Sequence, residues 1–341
     1  FSAQTGKNGN GWKYQYNAES IRGFQQVHQC SPWMNDYAVF SLMPSIGTLK
    51  VNQNERQLKF SHANEIAKPN HYAVKFDNGV SAEISPVERG SHMRFSFPKG
   101  EKSFIVFDGF TKDCEVKILP KERKIIGYVN NGMFVPGNFK SYFVLQFNQA
   151  FANYGTWENV KGAIKNGNAS DSGKGIGAYL EFKPGSKIEV KIASSYISAE
   201  QAQLNLDREL GAHQNFEVTK QAAFNVWNDL LNRIAVQGDS EADKATFYSC
   251  LFRANLFSRK FYDLNAKNEP YYYSPYDGKI HQGYMYTDNG FWDTFRGQFP
   301  LSNILHPEMQ GRYMQSLLDA QKQYGFFPTW SNPGMSGVML G

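Results

Sequence analysis

The sequence predicts a multidomain α and β protein, in which an N-terminal antiparallel β-sandwich precedes a helical domain. From about Gln57 to Ile197, apolar residues alternate with a period of two. They do so in many short runs separated by turn residues, as in a sandwich. After Ser198 the apolar spacing changes to three and four, which is helical. Strands first and helices afterwards imply segregated β and α domains.

The elements follow in order. His71–Phe76 places Tyr72, Val74 and Phe76 on one face, and Val80, Ala82 and Ile84 resume the alternation after Asp77-Asn78-Gly79. Asn-Gly supplies the positive φ angles that a tight hairpin needs. Met93, Phe95 and Phe97 come next, then strands at 104–107, 116–119, 125–129 and 142–147. Strands at 178–182 and 188–196 flank the turn Pro184-Gly185-Ser186. Residues 166–175, NGNASDSGKG, read as a loop by composition, and the PKERK run around Arg123 as a solvated turn.

A helical stretch starts at Ser198 and runs to about Gly211. Phe224, Trp227, Leu231 and Ile234 line one apolar helix face, with Gly238 as the stop. Ser240 with Asp243 forms an N-cap pattern for a helix carrying Phe247, Leu251, Ala254 and Phe257. Met309, Tyr313, Leu317, Ala320 and Tyr324 mark a third amphipathic helix, ended by Gly325 and Pro328. The expected division is a sandwich at 1–200, a helical linker at 201–236 and helices at 237–341. So few helices pack only as an open layer, so the rest of a helical domain is expected beyond Gly341.

Composition narrows the function. The chain has 341 residues, enough for two domains, and is 15% aromatic with 27 Phe and 19 Tyr. Its net charge of +5 is spread along the chain without a block, which argues against nucleic acid as a partner. No apolar run approaches the roughly 18 residues that cross a bilayer, so no membrane span is expected. The opening FSAQTGKNGNGW has neither a basic start nor an apolar stretch, and no signal peptide is read there. Cys30, Cys114 and Cys250 are scattered and read as structural thiols. His28, His92, His281 and His306 lie singly, without metal-ligand spacing. Asn168-Ala169-Ser170 fits a glycosylation sequon.

Two constellations could carry chemistry. In HQCSPWMNDYAVFSLMP, Ser31-Pro32-Trp33 is a rigid turn bearing an indole, and Asp36 follows at once. Such a pair suits a sugar, whose C–H faces stack on an indole while its hydroxyls donate to a carboxylate. A buried Trp and a turn-forming Asp would read the same way. In YTDNGFWDTFRGQFP, residues 286–300, Thr287-Asp288 is a fair N-cap for a helix running through Trp292, Asp293 and Arg296, limited by Pro300. In that helix Arg296, three residues after Asp293, could hold its carboxylate beside the indole. An ordinary salt bridge with core aromatics fits the spacing equally. Asp36, Asp288 and Asp293 are the best-placed acids for glycoside chemistry, but the spacing assigns none of them as acid or base.

At these residues the sequence resembles glycoside hydrolase family 92, the calcium-dependent exo-acting α-mannosidases. IRGFQQVHQCSPWMNDYAVFSLMP, VERGSHMRFSFP, AAFNVWNDLLNRIAVQGDSEADKATFYSCLFRANLFSRKF and YTDNGFWDTFRGQFPLSNILHPE carry the likeness in order, and the last is the most specific. The resemblance implies a β-sandwich packed on an (α/α)6 toroid, of which this chain holds the start, with the active site at their interface. It implies that Trp292 and Asp293 line the subsite for a terminal mannose, that Arg296 braces Asp293, and that Trp33 and Asp36 shape the same pocket.

The implied activity is hydrolysis of terminal α-mannosides of glycans with inversion, with Ca2+ on the O2 and O3 hydroxyls. The family's Gly-Asn-Glu-Pro and Asn-Asp-Asp-Gly type segments, which carry the acid, a calcium ligand and the base, do not occur here. No catalytic or metal-binding residue is therefore assigned in this chain, and both sets are expected beyond Gly341. The family's opening glycine-rich stretch is also missing, so the chain reads as an N-terminal portion lacking something at each end. Alternatives are a non-catalytic carbohydrate-binding relative and another (α/α)6 enzyme such as a disaccharide phosphorylase. A glycan substrate implies a secreted, periplasmic or cell-surface location, and the Asn, Lys and Tyr bias suits a gut-type bacterium.

Overall fold

The computed structural model describes residues 2–5, 14–26, 37–159, 162–331 and 333–336. The chain divides into two compact units. The first comprises Phe1–Gly132 and Lys140–Ala223, the second Met133–Phe139 and Phe224–Gly341.

The first unit is a sandwich of antiparallel sheets, one of seven strands and one of ten among the described residues. The seven-stranded sheet centres on Ser41–Ile46, Ser103–Asp108 and Ile176–Phe182. The ten-stranded sheet centres on Ser141–Phe147, Lys187–Ser195 and Gly90–Ser96. Period-two alternation turns one side of each strand inward. Leu42, Phe107 and Leu180 of one sheet thereby join Phe95, Phe143 and Ile188 of the other in a single buried core. The expected hairpin joins His71–Phe76 to Ser81–Val87, and Gly79 turns it at φ +84°.

A buried ion pair sits at the edge of this core. Arg56 Nη2 lies 2.7 Å from Asp108 Oδ2, with both side chains excluded from solvent. Arg56 also donates to the carbonyls of Arg22 and Val51, at 2.9 and 2.8 Å. Asp108 Oδ1 accepts from the Phe110 amide at 2.8 Å. Neither charge is left unsatisfied, which is the condition for burying one.

Residues 166–175 are not wholly a loop. Ser170–Lys174 is a strand that pairs with Asp113–Leu119 at the sheet edge. A polar edge strand shows no hydrophobic alternation, so composition reads it as a loop.

Helix Ala199–Leu210 starts at Ser198, whose hydroxyl accepts from the Gln201 amide at 3.1 Å. Its Ala202 and Leu206 pack on Val144 and Ala193 of the ten-stranded sheet. Helix Phe216–Leu231 ends well before Gly238. Its first turn belongs to the sandwich: Phe216 is fully buried, and the Arg94 guanidinium lies 4.4 Å from the centre of its ring.

In the second unit, Glu241–Ala254 is capped by Ser240 as expected, with the Asp243 amide donating at 3.2 Å. Pro307–Tyr324 ends at Gly325 in the left-handed region, φ +94°. Tyr313, Leu317 and Ala320 are buried, whereas Tyr324 at its end is exposed. Residues 133–139 belong to this unit: Tyr273 donates to Asn138 Oδ1 at 2.8 Å, and Asn138 Nδ2 to the Gly278 carbonyl at 2.9 Å.

Candidate functional site

The second unit holds the YTDNGFWDTFRGQFP segment on a small framework of strands. Tyr286–Thr287 pairs with Arg259–Lys260, and Asn289–Gly290 pairs with Trp330–Ser331, which in turn pairs with Met335–Ser336. Polar groups pin the segment from several sides. Ser316 of the long helix accepts from the Tyr286 amide at 3.1 Å. Thr287 Oγ1 and the Asp288 amide both donate to the Ser331 carbonyl, at 2.8 and 2.6 Å. Ser331 Oγ donates to the Asn289 carbonyl at 3.0 Å. Tyr313 bonds Ser331 and Ser258, and burial raises its phenol above the ordinary range.

Asp288 is not a helix cap. It sits at φ +60° with its side chain buried, and its Oδ2 lies 3.2 Å from Arg259 Nε. Aspartate is among the residues that tolerate this left-handed conformation. The N-cap is Gly290, and the helix that follows is only Phe291–Thr294. The chain breaks at Gly297 and starts a new helix, Gln298–Leu305. Pro300 therefore ends nothing. It lies in the first turn of this second helix, where an amide without an intrahelical partner is normal.

That break redirects Arg296. With no helix carrying through it, the guanidinium lies over the Phe295 and Trp292 rings, 4.8 and 5.7 Å from their centres. Among the described residues Asp293 and Arg296 form no ion pair, so the brace expected from the spacing is replaced by cation–π contacts. Trp292 is 54% exposed, and Asp293 and Arg296 are exposed beside it. The short helix thus presents an indole, a carboxylate and a guanidinium to solvent, on a base of buried polar residues. Trp33 and Asp36, the other predicted site residues, lie outside the described residues.

Trp330, which no local pattern in the sequence singles out, stands behind the short helix. Its indole is 8% exposed and lies against Gly290, where an added Cβ would come within 2.1 Å of the ring and 3.0 Å of Asp293 Oδ2. Gly290 is therefore the point where the indole of one strand meets the backbone that launches Asp293. A glycine inside an aromatic strand-like run was the available signal, because it marks close approach of another group. Trp330 Nε1, Asn289 Oδ1 and Ser336 Oγ are buried without a hydrogen-bond partner among the described residues. The Asn289 amide nitrogen, by contrast, donates to Ser258 Oγ at 2.7 Å.

Chemically, the exposed face can stack an apolar ring surface on Trp292 and accept hydroxyl hydrogen bonds at Asp293. Among the described residues, no group of three or more His, Cys, Asp or Glu side chains gathers as a metal site.

Comparison with known proteins bears on this site. Residues 1–195 match the model of the glycosyl hydrolase family 92 N-terminal domain, and residues 201–341 match that of its catalytic domain. The chain superposes with a TM-score of 0.96 on an inverting GH92 mannosidase from Bacteroides thetaiotaomicron, at 42% identity over 99% of this chain and 46% of that one. A GH92 α-mannosidase from the same organism shares the fold at a TM-score of 0.85 and 23% identity, over 99% of this chain and 48% of that one. An uncharacterized secreted glycosidase of Arthroderma benhamiae is 24% identical over 309 residues, which is 78% of this chain and 40% of that protein. The chain thus spans less than half the length of these relatives. Among the described residues, no helix is long and apolar enough to cross a membrane.

Proposed function

Because the chain belongs to glycosyl hydrolase family 92, we propose that the complete protein is an exo-acting α-mannosidase, and that this chain supplies its sugar-gripping residues. The substrate would be a terminal α-mannoside of a glycan, cleaved with inversion and with calcium assistance. The observation that carries the reading is the exposed Trp292-Asp293 step on a rigidly pinned backbone, in a chain 42% identical to an inverting mannosidase.

In this proposal Trp292 stacks on the sugar's C–H face and Asp293 accepts from its hydroxyls, which fixes the ring for attack at the anomeric carbon. Arg296, lying over the indole, sets the outer edge of the platform. Trp33 and Asp36 serve the same sugar. An inverting reaction needs one carboxylic acid to protonate the leaving oxygen and one carboxylate to activate water on the opposite face. Neither role is assigned to a residue of this chain, and the calcium ligands are likewise placed beyond residue 341. In the proposed enzyme a sandwich at 1–200 and a helical linker at 201–236 lead into the first helices of the catalytic domain at 237–341. Its proposed location is outside the cytoplasm, which a secreted relative and a glycan substrate both favour.

The test is Asp293→Ala in the complete protein, assayed on an aryl α-mannoside. Losing hydrogen bonds to a charged acceptor costs about 1.5–3 kcal/mol each, or roughly 10- to 150-fold in kcat/KM. A folded variant that turns over normally removes Asp293 from the site.

A further inference from the structure

The first unit carries a feature that the hydrolytic reading does not use. A cleft of about 540 Å³ opens between residues 16–19 and the strand Leu58–Lys68. At its wall stands Tyr16, 69% exposed. An exposed tyrosine on a connecting segment is ordinarily loose, but this one is held. Its ring lies flat on the His62 imidazole, with centroids 4.2 Å apart and planes 4° from parallel.

His62 is itself fixed at both nitrogens. Nδ1 lies 2.7 Å from Glu65 Oε2, and Nε2 lies 2.6 Å from the Tyr16 carbonyl oxygen. Both partners are acceptors, so both nitrogens donate and the ring is an imidazolium when both bonds are made. The Glu65 carboxylate also accepts from Tyr14 at 2.8 Å and from Tyr72 at 2.5 Å. Its side chain is 8% exposed. A largely buried network thus ends in a cation stacked under an exposed aromatic plane, and the stack itself is attractive.

The cleft beside that plane is lined by groups without other work. The side chains of Glu19, Lys59 and Asp77 line it and form no ion pair or hydrogen bond among the described residues. Asn17 and Ser61 complete the polar rim. The rim's two carboxylates repel a polyanion, so nucleic acid or a phosphorylated ligand does not fit. A flat apolar plane ringed by both acceptors and donors fits an uncharged, hydroxyl-rich ring.

We propose that this cleft binds a hexopyranose unit of a polysaccharide: the sugar's C–H face packs on Tyr16, Glu19 and Asp77 accept from its hydroxyls, and Lys59 donates to them. It is a holding site and performs no chemistry. The inference does not depend on the mannosidase reading, since any hexose of suitable shape meets the same groups.

The experiment is affinity electrophoresis of the complete protein in native gels containing yeast mannan, dextran or soluble starch. Wild-type protein is expected to be retarded in at least one of them. Tyr16→Ala is expected to raise the dissociation constant measured there at least about tenfold, whereas Tyr16→Phe and Trp292→Ala keep the retardation. Hydrolysis of a small aryl α-mannoside is expected to be unchanged by Tyr16→Ala. No retardation of wild type in any gel overturns the proposal. So does retardation that survives Tyr16→Ala, or retardation lost in Trp292→Ala while Tyr16→Ala keeps it. Absence of mannosidase activity would strike the proposed function and leave the gel result to judge this site.

Discussion

Gly290→Ala is the substitution that most sharply probes the packing behind the candidate site. The new methyl would stand 2.1 and 2.3 Å from Trp330 Cε3 and Cζ3, and 3.0 Å from Asp293 Oδ2. Real Cβ atoms do not approach aromatic carbons so closely, and Trp330 is too buried to swing aside freely. Either the indole or the 289–293 backbone must move. Overpacking of this kind costs about 1–3 kcal/mol, or roughly 2–12 °C in the melting transition of the second unit. The displaced backbone is the one that carries Asp293, and misplacing a binding group by about 1 Å can cost roughly a hundredfold in rate. Gly297→Ala is the control, because an added Cβ there meets nothing within 4 Å. It should stay within about 0.5 kcal/mol of wild type. The assays are thermal unfolding and hydrolysis of an aryl α-mannoside by the complete protein. Trimming Trp330 to Leu in the Gly290→Ala background should recover stability beyond additivity. The reasoning is refuted if Gly290→Ala melts and turns over like Gly297→Ala.

Two further predictions concern the sandwich. Arg56→Ala leaves the Asp108 carboxylate buried without its cation and should cost about 3–5 kcal/mol in urea unfolding, and Arg56→Met with Asp108→Leu should recover much of it; a loss below about 1 kcal/mol would mean the pair is not buried as described. His92 is held neutral: burial first, then Lys191, His213 and Arg94, push its pKa down to about 3, although Glu189 Oε2 lies 3.4 Å away. A His depressed in the fold contributes stability that is present above its unfolded value near 6.5 and is lost as pH falls toward 3, about 5 kcal/mol at most. The stability difference between wild type and His92→Gln should therefore shrink from pH 7 to pH 4, and a difference independent of pH would contradict this.

Local signals were legible in the sequence and distant ones were not. Asn78-Gly79 marks its own turn, and Ser240 and Ser198 mark their own helix starts, because each acts within four residues. The alternation of Tyr72, Val74 and Phe76 survives because one sheet face is buried. Strand Ser170–Lys174 was hidden because an edge strand buries little and needs no apolar side chains. In the candidate site, the spacing singled out Trp292 and Asp293 but left core aromatics as an equal reading, and their exposure is visible only in the structure. The Asp293–Arg296 brace failed because it assumed one continuous helix, and the break at Gly297 leaves the guanidinium on the Phe295 and Trp292 rings. Trp330 was invisible because it meets Gly290 from forty residues away, through a strand pairing that no local pattern announces.

The most direct measurement is a crystal structure of the complete protein soaked with a mannose-configured inhibitor. The account predicts the sugar ring stacked on Trp292, with a hydroxyl within hydrogen-bond distance of the Asp293 carboxylate. An inhibitor bound productively with neither side chain touching it would contradict the account.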